Sequence, residues 1–182
     1  MTPLQRRAFL LAPFGVAAVG GAAFWLLLNR MREGTYDPHG LPSMLIGKKL
    51  PRFSLPGLPP SQGFSNADIV GPALINFFAS WCIPCVQEAP ALMALKQQGT
   101  PIWGIAYKDK PDATAEFLQQ NGDPYTRIAQ DEPGTTAINF GLYGVPETYV
   151  VDKSGIVRWR WAGGLSEDIV HQSLAPLMQS LV

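Results

Sequence analysis

The sequence has few cysteines, few histidines and little charge, and each shortage excludes a class of protein. Its 182 residues include two cysteines, Cys82 and Cys85, and two histidines, His39 and His171, which lie far apart. A disulfide-stabilised scaffold needs more cysteines, and a four-ligand structural zinc site does not fit this spacing. The 14 basic and 14 acidic residues cancel, so the chain lacks the basic field of a nucleic-acid-binding protein. Charged residues amount to 15% and hydrophobic residues to 47%, which excludes a disordered chain.

The balanced charge hides two unequal segments. Residues 1–52 contain seven basic and two acidic side chains, whereas residues 53–182 contain seven basic and twelve acidic ones. A basic leader therefore precedes a mildly acidic domain. This division of charge indicates either the orientation of a membrane segment or an adjustment of the surface charge. It does not by itself indicate an activity.

The N-terminal segment predicts a membrane anchor over residues 1–33. No charged residue occurs in residues 8–28, and a helix of that length spans about 31 Å, close to the thickness of a bilayer core. We therefore expect one transmembrane helix at about 8–28. Arg6 and Arg7 precede it, which favours a cytoplasmic N-terminus and a domain on the far side of the membrane.

Two properties of this segment stay open at the level of sequence. The small residues 20–23 form a weak signal-peptidase site, although the apolar run 24–28 that follows favours an uncleaved anchor. Residues 6–10 fit either a twin-arginine export signal or a plain basic leader. The turn-rich residues 34–42 predict a linker.

Residues 43–182 predict one α/β domain. Short apolar runs predict strands at 74–78, 101–107, 126–130, 147–151 and 156–161. Helical patterns run from the cysteines to 97, over 112–120 and 135–140, and from 166 onward. We expect Asp112 to be the N-cap of the helix over 112–120. We expect the last helix to start near Ser166 and to bend at Pro176. This order predicts a sheet of mixed direction with helices on both faces.

Cys82 and Cys85 lie where a predicted buried strand ends and a helix begins. At a helix N-terminus the dipole stabilises a thiolate, so we expect Cys82 to be exposed and to attack disulfides. Cys85, one turn later, can resolve the mixed disulfide. Pro84 is tolerated because first-turn amides lack helical partners. The alternatives are a static disulfide or half of a metal site, but a three-residue step makes a poor static crosslink.

A second element is Pro146, which directly precedes a predicted strand, where its missing N–H is harmless. We expect a cis Val145–Pro146 bond that turns the backbone of Val145 toward the cysteines. An extended client peptide could then pair with that backbone. The alternative is an ordinary trans proline in a turn.

These residues resemble a known family. The stretch Ala-Ser-Trp-Cys-Ile-Pro-Cys at 79–85 and the Val145–Pro146 pair resemble the thioredoxin superfamily, whose mixed sheet is flanked by helices. Further matches narrow the resemblance to CcmG/DsbE, the thioredoxin-like thiol:disulfide interchange proteins of cytochrome c maturation. They lie at 45–48, 51–55, 107–109 and 141–148 and at Glu88. The resemblance covers roughly residues 45–178.

The resemblance implies a function and a site. The function is that of a thiol-disulfide oxidoreductase, held in the bacterial inner membrane with its C-terminal domain in the periplasm. It would reduce disulfides of apocytochrome c or of its maturation chaperone before haem attachment, and a membrane electron donor of the DsbD/CcdA type would re-reduce it. Cys82 and Cys85 would form the redox-active disulfide, and Trp81, Val145 and Pro146 would bind substrate. No metal, cofactor or nucleic acid is expected.

The family also directs attention to two acids. Thioredoxins carry a buried Asp six residues before the first cysteine, a position that is Asn76 here, and an amide cannot take up a proton near neutral pH. In the family, acids near the site are thought to substitute, and Glu88 and Glu147 match those positions. The alternatives are a solvated helix carboxylate for Glu88 and a strand-edge charge for Glu147.

Two other functions stay open. The chain could be a general periplasmic disulfide reductase or oxidase with other clients. It could also be a membrane-tethered binding module of an assembly complex, in which the thiols are incidental. The tryptophans at 103, 159 and 161 predict core or sheet positions rather than a cofactor site.

Overall fold

The computed structural model describes residues 3–32, 43–59 and 61–181. The chain divides into two compact units, Met1–Leu41 and Pro42–Val182. The first unit contains helix α1 (Pro3–Arg32), which includes the charge-free stretch 8–28. Large apolar side chains in its second half are exposed, among them Val19, Phe24 and Trp25. In the part of the chain that the structure describes, no helix has the length and apolar character that crossing a bilayer requires. The anchor therefore stays a prediction.

The second unit contains a five-stranded sheet. Its strands are β3 (Ala73–Phe78), β4 (Ile102–Tyr107), β5 (Arg127–Asp131), β6 (Glu147–Val151) and β7 (Val157–Ala162). They lie in the order β5-β4-β3-β6-β7. The β3–β4 and β4–β5 pairs are parallel, and the β3–β6 and β6–β7 pairs are antiparallel. The predicted mixed direction is confirmed. A small antiparallel pair, β1 (Ser54–Leu55) and β2 (Phe64–Ser65), was not predicted, because two residues are too few for an alternating pattern.

Helices cover both faces of this sheet. They are α2 (Ile83–Gln97), α3 (Pro111–Asn121), α4 (Thr135–Phe140), α5 (Glu167–Ile169), a π-helical turn (Val170–Leu174) and α6 (Ala175–Leu181). Since side chains alternate across a strand, Leu74, Asn76 and Phe78 of β3 lie on one face and Ile75 and Phe77 on the other. The first face packs against α2, α3 and the C-terminal helix, and we call it the α2 face. The second packs against α4, and we call it the α4 face.

Three helix predictions are refined by the structure. The last helix starts next to Ser166, as predicted. Ser166 is the N-cap of α5, and its hydroxyl accepts from the Ile169 N–H at 3.3 Å. Asp112 is not an N-cap: α3 starts at Pro111 with Lys110 as its cap, because proline suits the first helical position. The bend at Pro176 stays a prediction, but a π-helical turn lies just before α6, which contains this proline. Proline has no N–H to donate to the preceding turn, and such interruptions accommodate that loss.

Candidate functional site

The two cysteines form a disulfide at the N-terminus of α2. The bond joins Cys82 to Cys85 with their Cα atoms 5.3 Å apart. Cys82 is the N-cap of the helix, and its sulfur accepts a hydrogen bond from the Cys85 N–H at 3.2 Å. Pro84 lies in the first turn, where no helical acceptor is lost. The predicted placement at a strand–helix junction is confirmed, and the Cys85 N–H points at the sulfur that would carry negative charge.

The expected exposure of Cys82 is wrong for this disulfide form. Cys82 is only 4% exposed and Cys85 only 2%, because both sulfurs pack into the hydrophobic cluster of the α2 face. The neighbouring Trp81 and Ile83 are instead 58% and 73% exposed. Solvent therefore meets apolar side chains around the disulfide rather than the sulfurs themselves.

Asp109 holds the loop that leads to the cysteines. This carboxylate is buried, although its residue follows the end of β4. It accepts hydrogen bonds from the Ser80 N–H at 2.6 Å, from the Ser80 hydroxyl at 2.8 Å and from the Lys110 N–H at 2.9 Å. In the sequence, Asp109 is distinguished only by its place in the family match at 107–109. The partner Ser80 lies 29 residues away, so no local pattern indicates the contact.

The predicted cis bond between Val145 and Pro146 is confirmed. The Pro146 carbonyl accepts from the Gly163 N–H at 2.9 Å. Val145 is half-buried and packs against the cluster that contains Cys82 and Cys85. The fold thus brings residues 63 positions apart, Cys82 and Val145, into one hydrophobic cluster.

Glu88 lies one helical turn after Cys85, on the same buried side of α2. It is 1% exposed, so a solvated helix carboxylate is the wrong interpretation. One oxygen accepts from the Asn76 side-chain amide at 3.0 Å and the other from the Leu165 N–H at 2.9 Å. Burial raises the pKa of Glu88 to about 7, against the opposite influence of these two donors. Such a group can exchange a proton at neutral pH.

Glu147 lies on the other side of the sheet. It pairs with Phe77 in the β3–β6 register and therefore belongs to the α4 face. It is fully buried, so a solvated strand-edge charge is also the wrong interpretation. Its carboxylate accepts from Arg160 at 2.5 and 3.0 Å and from the Tyr149 hydroxyl. Burial and the Glu147 charge raise the pKa of Tyr149 well above its ordinary value. The structure thus brings Glu88, and not Glu147, to the face that holds the cysteines.

The tryptophans expected in the core or sheet occupy such positions. Trp103 packs on Phe64 with ring centroids 4.9 Å apart. Trp159 and Trp161 stack at 6.1 Å against the cluster of the α2 face. Within residues 3–32, 43–59 and 61–181, no three His, Cys, Asp or Glu side chains form a group able to hold a metal ion.

Comparisons with known proteins agree with this architecture. The profile of the AhpC/TSA family matches residues 46–160. The thiol:disulfide interchange protein DsbE of Pseudomonas aeruginosa is 39% identical over 98% of this chain and 97% of its own length. The thiol:disulfide interchange protein HelX of Rhodobacter capsulatus is 42% identical over 78% of this chain and 82% of its own. The crystal structure of a thio-disulfide isomerase from Thermus thermophilus superposes with a TM-score of 0.60 at 29% identity, covering 72% of this chain and 95% of that one.

Proposed function

Because the chain belongs to the DsbE/HelX family of thiol:disulfide interchange proteins, we propose that it reduces disulfides of apocytochrome c, or of a maturation chaperone, before haem attachment. It is a thiol-disulfide oxidoreductase with a thioredoxin-like fold. The observation that carries the proposal is the disulfide between Cys82 and Cys85 at the N-terminus of α2. A dithiol in that position can donate two electrons to a client disulfide.

The first step is attack by Cys82. In the reduced enzyme its thiolate is stabilised by the N–H groups of the first turn of α2. The thiolate attacks one sulfur of the client disulfide and forms a mixed disulfide, and the other client sulfur leaves as a thiolate. The Cys85 N–H already points at the Cys82 sulfur in the oxidised form, so the helix end is arranged for negative charge there.

The second step is resolution by Cys85. Its thiol gives its proton to Glu88, one turn further along the same buried side of the helix, and attacks the Cys82 sulfur. The mixed bond breaks, the Cys82–Cys85 disulfide forms and the second client sulfur leaves as a thiolate. Glu88 suits this transfer because its pKa is raised to about 7, and a general base works best when its pKa is near the working pH.

Client binding would use the apolar surface around the disulfide. Trp81 and Ile83 are both more than half exposed, and Trp81 lies beside Tyr107 with ring centroids 6.4 Å apart. Val145, which precedes the cis bond to Pro146, would offer its backbone groups to an extended peptide. Backbone pairing provides affinity with little demand on client sequence.

The location proposed for this reaction is the periplasmic side of the bacterial inner membrane. The sequence supports a single-pass anchor there, because residues 8–28 carry no charge over a length that suits a bilayer core. A membrane electron donor of the DsbD/CcdA type would return two electrons to the Cys82–Cys85 disulfide after each cycle.

Trapping tests the proposal. In Cys85→Ser the mixed disulfide cannot be resolved, so adducts that dithiothreitol removes should accumulate on Cys82. The matched control Cys82→Ser should form none. Mass spectrometry of the adducts should identify an apocytochrome c or a cytochrome c maturation protein. Adducts with many unrelated clients would instead favour a general disulfide reductase, and cytochrome c maturation that persists in Cys82→Ser would favour a binding module.

A further inference from the structure

The ring of Tyr125, a residue between α3 and β5, is held in one position. Gly104 of β4 leaves the space for it: a Cβ atom at Gly104 would lie 2.7 Å from the ring carbon Cγ. Phe78 stacks on the ring with centroids 4.7 Å apart and planes 21° apart. The backbone N–H of Tyr125 donates to the Asp123 carboxylate at 2.9 Å. The side chain is buried, so its hydroxyl has one well-defined place.

That hydroxyl begins a chain of hydrogen bonds that ends at Glu88. It donates to the Asn76 side-chain oxygen at 2.8 Å. The Asn76 amide nitrogen donates to Glu88 and to the Thr148 hydroxyl, both at 3.0 Å. An ionised carboxylate only accepts hydrogen bonds, so it requires the NH₂ end of the amide. The amide oxygen must then face Tyr125, and the hydroxyl is the donor that holds it there.

We propose that Tyr125 is a positioning residue for Glu88: its hydroxyl holds the Asn76 amide with the nitrogen toward the carboxylate, and this favours the ionised form of Glu88. The inference rests on the proposed function in one respect, that Glu88 takes the Cys85 proton. Tyr125 would then set the pH range over which resolution is fast. Tyr125 acts on the carboxylate through Asn76, to which its hydroxyl donates.

Loss of the hydroxyl has a defined electrostatic consequence. In Tyr125→Phe the buried Asn76 oxygen has no phenol donor, and an unsatisfied buried acceptor is costly. Turning the amide over would present that oxygen to Glu88, and only the protonated carboxyl can donate to it. This hydrogen bond stabilises the protonated form of Glu88, so the pKa of Glu88 should rise above its value of about 7. A hydrogen bond to a charged group corresponds to a shift of about one pH unit or more.

Of the other groups that face this network, the Leu165 N–H also favours the ionised form of Glu88, but it does so directly and not through the orientation of the Asn76 amide. From its own helix, Glu88 is accompanied by the two cysteines, which are joined as a disulfide in the oxidised form. From β6 comes the neutral Thr148 hydroxyl, and from the segment after β7 the Leu165 N–H. Asp123 acts on Tyr125, whose pKa is raised well above its ordinary value by burial, then by Glu88 and Asp123. Tyr125 therefore stays a neutral donor at every pH considered.

The test is a direct titration of the Glu88 carboxyl by ¹³C NMR in the oxidised full-length protein. We expect the inflection in Tyr125→Phe to move up by about one pH unit relative to wild type. The control is Phe117→Leu, which removes part of a buried ring next to Phe78 and leaves the hydrogen-bond chain intact. It should lose stability without moving the inflection. An unmoved inflection in Tyr125→Phe would overturn the proposal.

A second substitution keeps the test open if Tyr125→Phe does not fold. Incorporating 3-fluorotyrosine at position 125 preserves the ring and makes its hydroxyl a stronger donor, so the Glu88 inflection should move in the opposite direction, to lower pH. An inflection that stays in place or rises would again refute the role of Tyr125.

A kinetic cycle separates this inference from the proposed function. If Glu88 takes the Cys85 proton, Tyr125→Phe should shift the pH profile of resolution in wild type and have no such effect in Glu88→Gln. If the pH profile of resolution is the same in wild type and in Glu88→Gln, Glu88 does not take the Cys85 proton. The NMR shift in Tyr125→Phe would then still decide whether Tyr125 positions the amide.

Discussion

Glu88 and Glu147, two buried acids that the sequence associates with one pair of cysteines, lie on opposite sides of the central sheet. Glu88 is hydrogen-bonded to Asn76 on the α2 face, and Glu147 is paired with Arg160 on the α4 face. Their surroundings differ as much as their positions, since the partners of Glu88 are neutral and Glu147 faces a cation. The two acids should therefore respond differently to removal of their charge.

The first prediction compares Glu88→Gln with Glu147→Gln. Glu88→Gln should slow resolution of the mixed disulfide about tenfold or more at pH 7, since general base catalysis contributes at least that much. Glu147→Gln should leave the resolution rate near that of wild type and lower the free energy of unfolding by about 3 kcal/mol, because Arg160 loses its charged partner in a site that is 6% exposed. Stopped-flow exchange and urea unfolding measure the two quantities. Equal kinetic effects would show that both acids serve the cysteines.

The second prediction concerns stability and pH. The pKa of Glu88 is raised in the folded protein from 4.5 to about 7, so between these values the folded state binds more protons than the unfolded state. The stability associated with protonated Glu88 is present below pH 4.5 and is lost as the pH rises to about 7. The loss should amount to about 3 kcal/mol. Urea unfolding of the oxidised protein from pH 4.5 to 8 should show this decline in wild type relative to Glu88→Gln, and parallel curves would contradict it.

The third prediction concerns Asp109. Asp109→Ala leaves the Ser80 N–H without its acceptor, so we expect a loss of about 2 kcal/mol in unfolding free energy and slower attack by Cys82 on a client disulfide. The control is Asp112→Ala, which removes the same charge from an exposed position in the first turn of α3. Calorimetry and single-turnover kinetics measure the effects. Indistinguishable behaviour of the two variants would mean that Asp109 does not hold the loop.

The fourth prediction concerns α1. If the helix spans the membrane, the full-length protein should remain with membranes after carbonate extraction. Val19→Lys places a charge within the apolar stretch, at a cost of about 3 kcal/mol for insertion, and should reduce the membrane fraction. Gln98→Lys, which adds the same charge to the exposed end of α2, should not. Full recovery of the wild-type protein in the carbonate supernatant would exclude the anchor.

The fifth prediction concerns the direction of electron transfer. A reductant of client disulfides should have a reduction potential well below the roughly −120 mV of a strong oxidase such as DsbA. Equilibration of the Cys82–Cys85 pair with glutathione buffers measures this potential. A value close to that of the oxidase would indicate that the protein forms disulfides.

Local features of the sequence determined the elements and the position of the cysteines. Short apolar runs, the Cys82–Cys85 spacing and the helical pattern that starts near Ser166 were sufficient, because strand formation and helix initiation depend on residues within a few positions of one another. Pro146 before β6 was also identified, and its cis bond is confirmed. Such patterns did not predict the two-residue strands β1 and β2, and they did not identify the residue that caps α3.

Only the tertiary structure decided which side chains meet. Asn76 is joined to Tyr125 across 49 residues and to Thr148 across 72, and Glu147 reaches the α4 face because β6 pairs with β3 in one register. A shift of one residue would exchange the faces, and hydrophobic periodicity within one strand does not specify its pairing with another. Burial also depends on residues that are distant in sequence. Such residues enclose the cysteines, Glu88 and Asp109, and no local pattern predicts this. Burial of Glu88 is what raises the pKa of this helix carboxylate to about 7.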